Sequence, residues 1–199
     1  MKIIGITGSI GMGKTTVSNM LRILKIPVFD SDIKVKEILE TNDHVIKQIL
    51  DIWPDVVFSN KTKSINKVAL SDKIFKYKKE RKKLEKIIHP LISKERTLFL
   101  ENYKNYYTVG LDIPLLYETG MDKECDYIFL VNTTKKDQKK RVLIRPNMTE
   151  EKFELINNSQ WSFEKKIRRK PYVINTSFGK AIAFIYVLFY LLKIKIIGK

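Results

Sequence analysis

A single cysteine, Cys125, stands among 199 residues. No disulfide can form within the chain, a usage that agrees with a reducing, cytoplasmic setting. Cys125 is expected to act as a small buried apolar residue. Histidine is almost as scarce: His89 is one of two. It has no second histidine or cysteine at helical spacing, so a metal centre built on it is not expected. No Pro/Gly/Ser-rich linker divides the chain and no internal repeat appears, which points to one domain with inserted subdomains. Long apolar runs are missing too. Ile3 to Thr7 is far shorter than a secretory h-region and runs straight into a glycine loop. Ala181 to Leu192 is unbroken and apolar between Lys180 and Lys193, yet falls short of the ~20 residues a spanning helix needs. A buried core helix is expected there rather than a membrane-surface one. Acidic residues are also in deficit: 22 against 38 basic, a net charge of +16. The lysines are spread along the chain with no stripe interleaved with aromatics. Nucleic acid is therefore not the expected partner, and the positive field suits a cleft that handles several phosphates.

What is present is an ordinary globular composition, 44% hydrophobic and 30% charged, which excludes disorder. Lys2 to Thr7 reads as a short buried strand. Lys14 to Leu24 reads as a helix, with Val17, Met20, Leu21 and Leu24 on one apolar face. Val28 and Phe29 form a second strand, stopped by Asp30-Ser31-Asp32. Strand, helix, strand over this length is a βαβ unit. Further strands are expected at Thr108 to Ile113, Tyr127 to Asn132 and Tyr172 to Asn175. Residues Ile33 to Tyr107 and about Lys135 to Lys170 read as helical insertions. The alternation implies an α/β fold with a parallel sheet covered on both faces.

The sharpest motif is Gly8-Ser9-Ile10-Gly11-Met12-Gly13-Lys14-Thr15, which fits G-x-x-x-x-G-K-S/T without a gap. Gly8, Gly11 and Gly13 permit positive φ and close approach to phosphate. The loop amides and the positive end of the following helix cradle the anion. Lys14 reaches the β- and γ-phosphates of a nucleotide, and Thr15 offers its hydroxyl to Mg²⁺. The second strand brings Asp30 and Asp32 to the carboxyl edge of the sheet, where ligands bind. Both would point the same way if the strand continued. One of them could accept a proton from an attacking hydroxyl, or Ser31 or Asp32 could simply cap the helix from Ile33. The residues alone leave that choice open.

These residues carry a resemblance. The loop with Phe29-Asp30-Ser31-Asp32 is similar to the opening of dephospho-CoA kinases, and further stretches follow in order. They are Leu70 to Phe75, Leu84-Glu85-Lys86-Ile87-Ile88-His89-Pro90, Asp112-Ile113-Pro114-Leu115-Leu116-Tyr117-Glu118, Gln138 with Arg141 and Arg145, Gln160, and Val173-Ile174-Asn175. The resemblance spans about residues 2 to 180. It implies a phosphate-loop NTPase three-layer core at about 1–32, 108–134 and 171–199, a helical CoA-binding subdomain at about 33–107, and a helical lid at about 135–170. It also implies transfer of the γ-phosphoryl group of ATP, with Mg²⁺, to the 3′-hydroxyl of dephospho-CoA, by a monomer or small homo-oligomer without nucleic-acid or membrane partners. Asp32, Lys14 and Arg141 would be catalytic. Gly8, Gly11, Met12, Gly13, Lys14, Thr15, Thr16, Arg141, Arg145 and Asn175 would bind ATP. Asp32, Lys36, Lys67, His89, Pro114, Leu115 and Glu118 would contact the acceptor, and Thr15 and Asp112 the metal.

Several of these roles have rivals in the residues themselves. Arg141 and Arg145 are i, i+4 and should share a helix face, but Asp137 with Arg141 is also an ordinary surface pair. His89-Pro90 reads as helix-end geometry beside the acceptor, or as an acceptor contact. Glu118 is a candidate ion-pair partner for a cleft lysine or arginine. Lys36 and Lys67 stand where the family usually has arginine, which keeps the charge but loses the planar fork. Ile156 replaces another arginine, and Lys170-Pro171 replace alanine-aspartate before the last strand. The rival activities are another phosphate-loop nucleoside or nucleotide kinase, a basic nucleic-acid-binding phosphate-loop protein, and a family member that binds ATP without turnover.

Overall fold

Short β-branched runs alternate with amphipathic stretches at both ends of the chain, and a parallel sheet results. The computed structural model describes residues 1–59 and 64–197, with the side chains of Phe58, Ser59, Phe75, Lys78, Ile196 and Ile197 excepted. The aromatic end of the Leu70 to Phe75 stretch therefore lies outside the described side chains. The chain runs β1 (Lys2–Thr7), α1 (Lys14–Ile23), β2 (Val28–Asp30), α2 (Ser31–Thr41), α3 (Asp43–Ile52), β3 (Val57–Ser59), β4 (Ser64–Ile65), α4 (Lys67–Lys76) and α5 (Lys78–Asn102). It continues with β5 (Thr108–Asp112), β6 (Tyr127–Asn132), α6 (Lys135–Leu143), α7 (Glu150–Asn158), α8 (Phe163–Ile167), β7 (Tyr172–Asn175) and α9 (Gly179–Ile197). Two units form: Met1–Asp30 with Leu100–Lys199, and Ser31–Phe99.

In the first unit five parallel strands lie in the order β2-β5-β1-β6-β7. The non-sequential neighbours require crossovers, and helices supply them. Strand residues alternate between faces. Ile4 and Ile6 of β1 join Val17, Met20 and Leu21 of α1 and Ala183, Val187 and Ile194 of α9 in one apolar cluster. Gly5, between them, faces the other way, where a Cβ would meet Cys125 Sγ at 2.8 Å and Leu116 at 3.2 Å. Each fully buried Ile, Leu or Val here contributes roughly 1.5–3 kcal/mol.

α9 departs from the expected buried helix. Ala183, Val187 and Ile194 are buried, but Ile185, Phe189 and Leu192 are 59%, 57% and 61% exposed. A helix on the outside of a sheet can bury only the face turned to it, and here the outer face is apolar as well.

The second unit has its own core of Ile38, Val45, Ile49, Trp53, Val56, Ile65, Leu70, Leu84 and Ile88. It is not continuously helical. A 3-10 turn at Pro54–Val56 follows α3, and β3 pairs antiparallel with β4. Strands of two and three residues are too short to show alternation in a sequence. Asn66 then starts α4, its side chain accepting from Val68 N and Ala69 N, each at 3.1 Å. His89-Pro90 does not end a helix. α5 runs through Pro90 to Asn102. The proline forfeits one backbone hydrogen bond, but Leu84 and Ile88 are buried and Ile87, Leu91 and Ile92 pack on the same core, which holds the helix together across it.

Candidate active site

The glycine loop links the end of β1 to the start of α1. Gly8 lies against β6, where an added Cβ would stand 2.5 Å from the Val131 carbonyl oxygen. No side chain fits there. Gly11 has φ 78°, and a Cβ on it would meet Val142 Cγ2 at 2.5 Å. The loop can therefore pass under α6 only as glycine. Gly13 occupies the N-cap of α1, no side chain caps that helix, and its first turn holds no acidic residue. The positive end of the helix is thus left for an external anion. Lys14 is half-buried, Thr15 is exposed and Met12 is buried in the core beneath the loop.

Side chains distant in sequence hold this loop. The peptide at Ile10 is gripped on both sides: Ile10 N donates to Gln160 Oε1 at 2.9 Å, and Gln138 Nε2 donates to the Ile10 carbonyl at 2.8 Å. On the other flank Thr176 Oγ1 donates to the Met12 carbonyl at 2.8 Å. Arg141 forks onto the same threonine, donating to its Oγ1 at 2.8 Å and to its carbonyl at 2.9 Å. One guanidinium nitrogen lies 3.5 Å from where a Gly13 Cβ would be. Arg141 therefore turns toward the loop. Asp137, its expected surface partner, instead accepts from the Thr134 hydroxyl at 2.8 Å.

Arg145 does not share the helix of Arg141. α6 ends at Leu143, and Arg145 lies exposed beyond its cap. Pro146 follows directly, and the residue before a proline is disfavoured in helical conformation. Ile156 is buried in α7 beside Phe153, so the apolar departure at that position serves packing. Lys170 has φ 54° and its N–H donates to the Ile167 carbonyl at 2.9 Å. It closes the turn after α8 in the left-handed region, and Pro171 bars continuation.

A third cation stands at the loop. Lys166 of α8 has a side chain 1% exposed; its ammonium lies 3.3 Å from Glu118 Oε1 and 3.5 Å from Ser9 Oγ. Burial pushes Lys166 below the usual lysine range; Glu118 pulls it back up, and Lys14 adds to the lowering. Glu118 Oε1 also accepts from Trp161 N at 2.6 Å, while its Oε2 is buried with no hydrogen-bond partner among the described residues. Trp161 in turn stacks on Tyr117 at 6.0 Å, with the Lys165 ammonium 3.6 Å over its ring. Burial raises the Tyr117 phenol to about 12. The segment from Pro114 to Glu118 is tied to β1, since Thr7 Oγ1 donates to the Pro114 carbonyl at 3.2 Å, and Leu115 follows half-buried.

Asp112 ends β5, level with Ile6 of β1 and with Asp30 of β2. It is 4% exposed, and its Oδ2 accepts from Ser18 Oγ at 2.6 Å. Ser18 lies one turn after Thr15 on α1, so the Thr15 hydroxyl and the Asp112 carboxylate belong to the same side of that helix. Both are hard oxygen donors of the kind Mg²⁺ takes. No group of three His, Cys, Asp or Glu able to hold a metal occurs among the described residues. A magnesium ion here would be one held largely by substrate phosphates. Asn175 closes β7 with its Oδ1 accepting from Ser177 N at 2.8 Å, and Thr16 lies in the first turn of α1.

Asp32, Lys36, Lys67 and His89 all fall in the second unit. The strand does not continue past Asp30; α2 starts at Ser31. Asp32 therefore sits exposed in the first turn of a helix, facing its positive end, rather than at the cap or along a strand. Lys36 follows one turn later and is exposed. Lys67 opens α4, and its ammonium pairs with Glu40 of α2. His89 is exposed on α5.

Sequence reasoning missed Lys166, Thr176 and Ser18. One lysine among 38 basic residues carries no mark of burial. Thr176 directly follows the Val173-Ile174-Asn175 stretch, and that adjacency was the available signal.

Comparison with known proteins fits this geometry. The family model for dephospho-CoA kinase matches residues 2–180. The dephospho-CoA kinase of Zymomonas mobilis subsp. mobilis is 37% identical over 174 residues, covering 87% of each chain. That of Bartonella henselae is 38% identical over 178 residues, covering 88% of this chain and 89% of its own. Among solved structures, TT1252 from Thermus thermophilus superposes with a TM-score of 0.80 at 27% identity over 96% of each chain. The dephospho-CoA kinase from Campylobacter jejuni has the same fold, with a TM-score of 0.64 at 21% identity over 97% of each chain.

Proposed function

This chain belongs to the dephospho-CoA kinase family, and from that premise we propose that it transfers the γ-phosphoryl group of ATP to the ribose 3′-hydroxyl of dephospho-CoA, giving coenzyme A and ADP. The observation that carries the reading is the loop Gly8–Thr15 with three cations gathered on it, Lys14 from α1, Arg141 from α6 and Lys166 from α8. Such a cluster suits a reaction whose charge lies on phosphate oxygens.

The loop amides and Lys14 hold the β- and γ-phosphates. Thr16 lies in the same first turn, and Met12 anchors the loop in the core. Thr15 and Asp112 are the residues that would hold Mg²⁺. When bound, the ion neutralises charge across the donor phosphates. Asp32 accepts the proton of the 3′-hydroxyl as its oxygen forms the new bond to phosphorus and the bond to the β-phosphate oxygen breaks. Arg141, already oriented by Thr176, meets the charge on the transferring group. Asn175, at the end of β7, and Arg145, beyond α6, serve the nucleotide. Lys36, Lys67 and His89 serve the acceptor, as do Pro114, Leu115 and Glu118.

We read residues 31–99 as the acceptor-binding subdomain and about 135–170 as a lid. The lid reading is supported by the side chains that α6, the segment after α7, and α8 send to the loop: Gln138, Gln160 and Lys166. Lys166 is a positioning residue in this account, linking the lid to Ser9 and Glu118. No helix among the described residues is long and apolar enough to cross a membrane.

The test is ADP release by purified protein with Mg·ATP, with and without dephospho-CoA, beside a panel of nucleosides and nucleoside monophosphates. ADP formation that requires dephospho-CoA is the expected result. Turnover with a nucleoside or nucleotide instead would keep the kinase and discard the acceptor.

A further inference from the structure

The outer face of α9 takes no part in the kinase site. Ile182, Ile185, Phe189 and Leu192 recur at three- and four-residue steps, so they form one stripe along the helix. They are 40%, 59%, 57% and 61% exposed, and Phe178, just before the helix, is 68% exposed. The opposite face is committed to the sheet through Ala183, Val187 and Ile194. A contiguous apolar surface of this kind marks a contact site.

Charge decides what it contacts. Residues 165–199 contain nine Lys or Arg and no Asp or Glu. Lys166 is paired with Glu118 inside the fold, but Lys180, Lys193 and Lys195 on α9 and Arg168, Arg169 and Lys170 before β7 are exposed. Lys193 follows the stripe at its far end, whereas Lys180, three and seven residues before Ala183 and Val187, falls on the core side of the helix. α9 turns back along β7, and Lys193 stands 5.6 Å over the Tyr172 ring, two residues from Lys170. That end of the helix therefore gathers positive charge from both segments. The nearest acid in sequence to the neighbouring β6, Asp126, is engaged by Ile3 N and Lys2.

A second copy of the chain is poorly matched to this face. Packed antiparallel, two stripes would set Lys193 of each against the acid-free start of the other helix, where Lys180 falls by helical spacing on the core side with Ala183 and Val187. Packed parallel, they would set Lys193 of each beside Lys193 of the other. Neither helix carries a carboxylate to offset this. An anionic bilayer supplies both missing parts: hydrocarbon for the stripe and negative headgroups for the lysines at its far end.

We propose that the outer face of α9 docks the protein peripherally on anionic phospholipid. The helix lies flat, with Ile182, Ile185, Phe189 and Leu192 in the boundary between headgroups and acyl chains, while Lys193 and Lys195 meet lipid phosphates. It lies on the membrane without crossing it, because its inner face belongs to the core.

The experiment is co-sedimentation of the full chain with phosphatidylglycerol/phosphatidylcholine vesicles and with pure phosphatidylcholine vesicles. The expected result is binding to the anionic vesicles that weakens with salt and is far lower on the neutral ones. Ile185→Glu with Phe189→Glu should lower the partition by about tenfold or more. Lys193→Gln and Lys195→Gln should each cost about fivefold. Unchanged kinase turnover and melting temperature in these variants would keep folding out of the comparison. Failure of the wild type to sediment with anionic vesicles would overturn the proposal, as would wild-type partition by the double glutamate variant. A dimer in sedimentation velocity that the same variant dissociates would also overturn it, and would give the stripe to a second copy.

Discussion

The loop and the helical unit 31–99 hold their candidate residues in opposite ways. At the loop, Ile10 is gripped by two glutamines, Met12 by Thr176, Arg141 by that same threonine and Lys166 by Glu118. In the helical unit, Lys36 and His89 stand on exposed helix faces, and Lys67 meets Glu40 where both are about half exposed, 45% and 55%. The difference matches two tasks. Stabilising charge on a transferring phosphoryl group requires dipoles and cations fixed in advance. Receiving a large, flexible acceptor requires groups that can adjust to it.

Substitutions can break that contrast or sharpen it. Lys14→Ala should have the largest effect, a loss of turnover of at least about a thousandfold; retained activity would remove the loop from the mechanism. Asp32→Asn should lower kcat by about 10²–10⁴-fold while ATP binding holds. If ATP affinity falls and turnover per bound ATP does not, Asp32 serves the helix end. Arg141→Ala should slow transfer by about 10²-fold with a modest change in ATP affinity, measured by single-turnover quench. An unchanged rate would make it a structural fork onto Thr176 alone.

Lys166→Gln leaves Glu118 without its cation, an expected cost of about 1–3 kcal/mol read as a lower melting temperature. Lys166→Arg keeps the charge, so recovery of ATP KM by arginine and not by glutamine would separate a role at the nucleotide from packing. Lys67→Ala should do least. An exposed pair is worth less than about 1 kcal/mol, so the KM for dephospho-CoA should rise less than about fivefold with kcat unchanged. A large kcat effect there would erase the distinction between the two regions.

The parts of this arrangement that local rules govern were readable from the residues. The loop, its strand and its helix follow from glycines, Lys14 and the spacing of Val17, Met20 and Leu21. The strands at 108–112, 127–132 and 172–175 follow from short apolar runs. Tertiary context took over elsewhere. Nothing in the sequence near Lys166 says that it will be buried against Glu118, far away in the chain. The β3–β4 hairpin is too short for a period to show. Pro90 signals a helix end, yet the apolar residues on both sides of it carry α5 through. Pro146 does end the helical geometry, and that removes Arg145 from the face of Arg141. An apolar run such as Ala181 to Leu192 states its composition but not that half of it will face outward.

The central claim is that dephospho-CoA is the acceptor, and following the phosphoryl group tests it most directly. With γ-labelled ATP, Mg²⁺ and dephospho-CoA, the account predicts that label moves into a product with the mass and chromatographic identity of coenzyme A. Label that stays on ATP with dephospho-CoA, yet moves to a nucleoside or nucleotide under the same conditions, would contradict it.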